Sequence, residues 1–296
     1  MSGRQGGRAE ALDRAVLLSP WLLTFILFAL FPLVYSLVLS FLHASPLHPE
    51  ATRWAGLAQY RRLVADPGFW RSLWNTGYFV LVTVPATTVI ALALAIALDR
   101  RLPGRDLFRA AFFVPTVISL AVVAVVFKQL YAPHGAFNEA LRSVGLPGPA
   151  WLLEPALAMP AVMAMDVWAA VGYYMLLFLA GLQTVPRVLH EAVALDGGGR
   201  WAHLRHVTLP HLRPVLLFVV VLNSIRSLQI FVEVFVMTRG GPLGSTRTVV
   251  FDVYDTAFYR LDLGYASAIA WALCLIILAL TWAEARWLRM GRAPAE

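Results

Sequence analysis

The chain has 296 residues, of which 59% are hydrophobic and only 14% charged. A soluble domain carries about a quarter charged residues, so an ordinary water-soluble enzyme or binding module is excluded. The formal net charge of +7 comes with no basic recognition module and no aromatic stacking pattern, which argues for topology signals and anionic headgroups and against nucleic acid as a partner.

Several apolar runs exceed the roughly 18 residues that mark a transmembrane helix. Six spans are expected, at about 16–42, 75–98, 109–131, 156–182, 213–237 and 264–288. The expected fold class is therefore all-α, a polytopic membrane protein with six transmembrane helices between short tails at 1–15 and 289–296. The first span follows Arg4, Arg8 and Arg14 as a secretory signal would. Its apolar stretch from Val16 to Phe41 is nevertheless far longer than a signal core of roughly 7–15 residues, so it reads as a retained anchor.

With the N-terminus inside, the cytoplasmic segments hold these arginines together with Arg100, Arg101, Arg105, Arg109, Arg187, Arg200, Arg205, Arg213, Arg286, Arg289 and Arg292. The outer loops hold fewer: Arg53, Arg61, Arg62, Arg71, Arg142, Arg239, Arg247 and Arg260. The positive-inside rule then puts both termini and the 186–212 loop in the cytoplasm. Lys128, near the outer end of the third span, reads as a snorkelling side chain. The fourth span carries Asp166, accompanied by Trp168, Tyr173 and Tyr174.

The loop before the fifth span, HEAVALDGGGRWAHLRHVTLPHLRP from His190 to Pro214, is polar and punctuated by glycine. Pro186 suits a first helical turn, where no amide donor is required. Val188, Leu189, Val193 and Leu195 can line one side of a short helix that ends at Asp196-Gly197-Gly198-Gly199. A second short helix through Trp201, Leu204 and Val207 is expected to stop at Pro210. The result is a helix–turn–helix hairpin on the charged face.

Asn223, Arg226, Ser227, Gln229 and Glu233 interrupt the fifth span. Their three- and four-residue steps put Arg226, Gln229 and Glu233 on one helical face. A charge near the bilayer centre costs about 2.5–3.5 kcal/mol on insertion scales, so such residues face protein or a wet path. Asp166 and Arg226 each lie about ten residues from the outer end, roughly 15 Å at helical rise, and could meet at one depth. Two readings stand: a face lining a solute route, or an Asp166–Arg226 pair holding helices in register. The lone cysteine, Cys274, lies in the last apolar span and says nothing of redox compartment.

No catalytic constellation is found. Lys128 is the only lysine and no Gly-Lys-Ser/Thr follows a glycine cradle, so the chain has no Walker-type ATP site. His203, His206 and His211 do not share one helical face and no HExxH or Cys pair accompanies them, so they read as loop histidines and no metal site is expected. Gly-x-Ser-x-Gly is absent as well.

Glu191-Ala192, Asp196-Gly197, Thr208-Leu209-Pro210 and Arg213-Pro214 resemble the cytoplasmic "EAA" loop of permease subunits in binding-protein-dependent ABC importers. Val193 stands where a third small residue is usual, and Gly198 where alanine is usual. Further pieces match in order: Leu18-Ser19-Pro20, Phe31-Pro32, Gly56-Leu57, Gln59-Tyr60, Asn75-Thr76 and Ala180-Gly181-Leu182-Gln183. Thr238, Gly240-Gly241-Pro242, Ser245-Thr246, Phe258 and Gly264-Tyr265-Ala266-Ser267-Ala268 complete them. These stretches are similar to the subunits of carbohydrate importers, of the maltose and glycerol-phosphate kind, with a type I permease core.

The resemblance implies that Glu191, Ala192, Asp196, Gly197 and Pro210 belong to a loop that docks on the ATPase subunit. It implies as partners a second related permease, two ATP-binding cassette subunits and an extracytoplasmic solute-binding protein, within the lipid bilayer. ATP and Mg would be bound by the cassette subunits, leaving no cofactor in this chain. The implied function is solute import by alternating access across a bacterial or archaeal cytoplasmic membrane, the solute being a sugar or related polyol phosphate. A permease for another solute, a passive channel and, more remotely, a membrane enzyme are the alternatives.

Overall fold

The computed structural model describes residues 17–99, 103–195 and 197–290. Two compact units make up the chain: Met1–Asp66 with Val253–Ala272, and Pro67–Asp252 with Leu273–Glu296. Among the described residues five helices are long and apolar enough to cross a membrane: α1 (Leu17–Leu39), α3 (Pro67–Asp99), α7 (Pro155–Leu182), α9 (Trp201–Leu228) and α12 (Leu263–Met290, apolar through Arg286). The shorter helices between them are α2 (Ala58–Ala65), α4 (Arg105–Val117), α5 (Leu120–Leu130), α6 (Ala136–Ser143), α8 (Arg187–Leu195), α10 (Val232–Met237) and α11 (Val249–Tyr254). Helix is the expected answer to these apolar runs, since a spanning segment must satisfy its backbone hydrogen bonds internally.

Two expected spans are broken. The third is a pair, α4 and α5, bent by 98°. Pro115, inside α4, lacks an amide donor, and Ile118 is extended (φ −79°, ψ 142°) before Ser119 caps α5. Counted as one span, the pair brings the total to six. The fifth expected span ends at Leu228, Gln229 caps it, and Phe231 (φ −145°, ψ −56°) separates it from α10.

Within the first unit, the sequence stretches noted above meet one another. Leu42–His43 pairs antiparallel with Arg53–Trp54 in a minimal ladder. Gln59 donates to the Leu42 carbonyl at 3.0 Å, and the buried Ser40 hydroxyl lies 2.8 Å from the Tyr60 hydroxyl. Gly264 presses against the Leu42 carbonyl so closely that a β-carbon would collide with it. Tyr265 donates to Asp66 at 2.6 Å, while Arg62 stacks 3.9 Å over the Tyr265 ring and pairs with Asp262 at 2.6 Å. Helix α1 leaves its apolar side chains exposed.

In the second unit α7 is the hub, packed on α3, α4 and α9. Two cores form along it. One gathers Phe79, Phe127, Val162, Met165 and Val234, the other Ala91, Ala95, Met175, Phe178 and Val219. Small residues set the spacing: a β-carbon on Gly172 would run into the Phe112 carbonyl, and one on Gly181 would lie 2.8 Å from Leu212 and Val215. Such contacts let helix backbones approach closely, which is how membrane helices associate without a hydrophobic driving force. Asn75 donates to the carbonyls of Gly244 (3.0 Å) and Arg247 (2.9 Å), and the Thr76 hydroxyl accepts from the Val249 amide at 3.1 Å. The Gly-Gly-Pro loop is thereby tied to the start of α3. Within it Thr238 and Thr246 hydroxyls lie 2.7 Å apart, and Thr246 donates to the Gly241 carbonyl.

Candidate functional site

The hairpin forms. Helix α8 runs to Leu195, Gly197 takes the left-handed conformation (φ 71°), and the Gly198 amide donates to the Val193 carbonyl at 2.8 Å to close the turn. Glu191 is exposed on α8 and Ala192 lies within that helix, while Asp196 falls outside the described residues. Val188, Leu189, Trp201 and Leu195, the last 89% exposed, leave apolar surface uncovered on both arms.

Pro210 does not end the second arm, as its ring had suggested. Helix α9 runs from Trp201 through Pro210 and Pro214 to Leu228, and it carries His203, His206 and His211, which are therefore helical rather than loop residues. A π turn at Leu204–Thr208 ends two residues before the proline, and the Leu209 amide reaches back to the Leu204 carbonyl. The wider turn relieves the clash that a proline makes with the carbonyl four residues earlier. The hairpin arm is thus continuous with the membrane helix.

Within the second unit, Asp166 of α7 and Arg226 of α9 form an ion pair, Oδ1 to Nη2, at 2.8 Å. Glu233 of α10 stands 3.8 Å from the same Nη2. The two carboxylate side chains are 3% and 6% exposed, while that of Arg226 is 37% exposed. Arg226 opens on two cavities. The larger, about 560 Å³, is walled by Phe113 and Thr116 of α4, Tyr173 and Tyr174 of α7, and Leu222. The smaller, about 320 Å³, is lined by Arg226, Gln229, Phe231 and Glu233.

Arg226, Gln229 and Glu233 are thus brought together, but not on one helical face. Along an unbroken helix, Arg226 and Glu233 would be separated by about 10 Å of rise. The break at Gln229–Phe231 lets α10 bring the carboxylate back onto the guanidinium. Asn223 and Ser227 point elsewhere. Both are buried, with the Thr83 hydroxyl of α3 donating to that of Ser227 at 3.4 Å. They line neither of these two cavities. Lys128 donates to the Val236 carbonyl at 3.4 Å, a contact that hydropathy does not foretell.

Phe113 and Thr116 were not singled out by composition. Their signal is Pro115 between them, which marks the bend that turns this segment toward Tyr173. A second polar contact escaped notice too: Ser224 donates to Glu284 of α12 at 2.8 Å.

Residues 63–286 match the family model described as "Binding-protein-dependent transport system inner membrane component". The chain belongs to this family. This permease is 33% identical over 87% of its length to the lactose transport system permease protein LacF of Rhizobium radiobacter, covering 87% of that protein. It is 31% identical to the trehalose/maltose transport system permease protein MalF of Thermococcus litoralis, over 92% of each chain. A crystal structure of a bacterial alginate ABC transporter in complex with alginate pentasaccharide-bound periplasmic protein shares the fold, with TM-score 0.83 over 96% of both chains at 18% identity. The permease is an all-α, multi-pass inner-membrane protein.

Proposed function

We propose that this permease imports a carbohydrate, received from an extracytoplasmic solute-binding protein and released to the cytoplasm at the expense of ATP hydrolysed by two cassette subunits. A second, related permease completes the pathway, ATP and Mg reside in the cassette subunits, and both termini face the cytoplasm. The observation that carries the reading is the kinship with permeases named for lactose and for trehalose and maltose, at 31–33% identity over most of the chain.

The geometry supports a division of labour. The 186–212 hairpin, with Glu191 and Ala192 on its first arm, Gly197 at its turn and Pro210 in its second arm, docks on a cassette subunit. Its exposed Leu195 and Trp201 provide apolar contact area. Because the second arm is continuous with α9, motion of the docked subunit is passed to Arg226 along one unbroken helix. The route runs past Arg226, Gln229 and Glu233, where aromatic rings suit the apolar faces of a sugar and polar groups its hydroxyls. Ser227, through the Thr83 hydroxyl, holds α9 on α3 beside it.

Affinity purification of the tagged chain from its native membranes tests this. Cassette subunits and a second permease should co-purify, and the assembly should hydrolyse ATP when the loaded binding protein is added. ATP hydrolysis by the isolated chain, or solute passage in vesicles without ATPase subunits, would overturn the reading in favour of an enzyme or a passive channel.

A further inference from the structure

Kinship leaves open whether the carbohydrate is neutral or anionic, a sugar or a sugar acid or phosphate. The cluster at Arg226 bears on this, given the reading that the route passes it. Among the described residues Arg226 is the sole charged one lining the larger cavity, and a lone arginine there would attract anions. It is not alone. Its Nη2 is held by Asp166 at 2.8 Å and faced by Glu233 at 3.8 Å, and both carboxyl groups are buried behind it. One cation stands against two carboxyls, so their charges offset that of the guanidinium. In a low-dielectric cavity that balance governs which solutes enter, because an unpaired anion is strongly penalised where no counter-charge awaits it. The remaining polar wall is made of hydroxyls, from Thr116, Tyr173 and Tyr174, which can bond a solute's hydroxyl groups and add no charge of their own.

We infer that the Asp166–Arg226–Glu233 cluster is a charge filter, which keeps the guanidinium as a hydrogen-bond donor while cancelling its attraction for anions, and so restricts the permease to uncharged, hydroxyl-bearing carbohydrates. Discrimination of this kind works against the wrong ligand rather than for the right one. Asp166 and Glu233 act on solute choice through Arg226 and are positioning residues.

The test uses the assembly purified in detergent with its partner subunits and without the binding protein, with glucuronate and galacturonate as probes. Binding is read by isothermal calorimetry for wild type, for Glu233→Gln and for Asp166→Asn with Glu233→Gln. The wild type should bind neither anion measurably. The double variant, which frees the guanidinium, should bind both at least about tenfold more tightly than wild type. Glu233→Gln, which leaves the 2.8 Å pair intact, should gain part of that affinity and keeps the question decidable if the double variant does not assemble. Wild-type affinity for the anions equal to that of the variants, or no gain in any variant that assembles, overturns the filter. Failure of the functional reading appears separately, as absence of cassette subunits from the purified material.

Discussion

A β-carbon placed on Gly198 would strike the Val193 Cγ1 methyl and lie 3.2 Å from the Ala202 β-carbon, and the Gly198 amide donates to the Val193 carbonyl. These are the two positions at which the hairpin departs from the usual EAA pattern. The larger residue at 193 occupies the room that a methyl at 198 would take, so the two departures compensate one another. Gly198→Ala should therefore overpack the turn, at a cost of about 1–3 kcal/mol, and lower ATPase stimulation by loaded binding protein. Adding Val193→Ala removes the methyl contact and should recover most of the loss. The β-carbon would still sit 2.9 Å from the Val193 carbonyl, so recovery should stop short of wild type. Additive losses in the double variant would show that the two sites are not coupled.

The neighbouring glycine acts through its backbone. Among the described residues, chain neighbours aside, no atom lies within 4 Å of a β-carbon built on Gly197, but φ is 71°. A valine there carries the left-handed penalty of roughly 1–2 kcal/mol, and its β-branch is especially disfavoured at positive φ. Gly197→Val should reduce stimulated ATPase activity while membrane levels, read by immunoblot, stay at wild type. Glu191→Lys, on the exposed arm, should lower the yield of co-purified cassette subunit. Normal assembly and normal stimulation in both would remove the hairpin from the coupling mechanism.

How far the sequence alone led can be judged from single residues. Hydropathy counts side chains, and a run from 213 to 237 looks uniform whether or not its backbone is continuous. The interruption at Gln229–Phe231 carries neither proline nor glycine, so no local signal marked it. What fixes it is tertiary, the approach of Glu233 to an arginine one helix away. The bend after Val117 was legible in principle from Pro115, yet the apolar run around it masked the cue. Depth arithmetic, by contrast, brought Asp166 and Arg226 to one level, although it assumed a regular fifth span, and that helix ends at Leu228, two residues past Arg226. Pro210 misled for the opposite reason: a π turn, invisible to residue propensity, carried the helix past it.

Gly172 tests the packing that supports the cavity. Its α-carbon faces the Phe112 carbonyl at a distance that excludes any β-carbon, and Phe113, the next residue, is part of the cavity wall. Gly172→Ala should wedge α7 from α4, where overpacking costs about 1–3 kcal/mol. The expected result is a lower melting midpoint of the detergent-purified assembly and reduced transport. Gly77, with nothing within 4 Å of a built β-carbon, is the control helix glycine whose replacement by alanine should change neither.

The ion pair makes an asymmetric prediction. Removing Asp166 leaves Arg226 partly exposed and still faced by Glu233 at 3.8 Å, so its charge keeps a partner. Removing Arg226 leaves two buried carboxyls facing each other with no cation between them. Breaking a buried pair typically costs about 3–5 kcal/mol because of the charge left behind, and here that charge is greater on the carboxylate side. Arg226→Ala should therefore lower the melting midpoint of the purified assembly more than Asp166→Ala does. Arg226→Ala combined with Asp166→Ala should recover much of the loss, since one carboxyl alone can take up a proton and become neutral. Stability and transport are then separable in the same double variant. Recovered stability with transport still impaired identifies Arg226 as a residue of the route, whereas recovery of both shows that the pair serves only to hold α7 on α9.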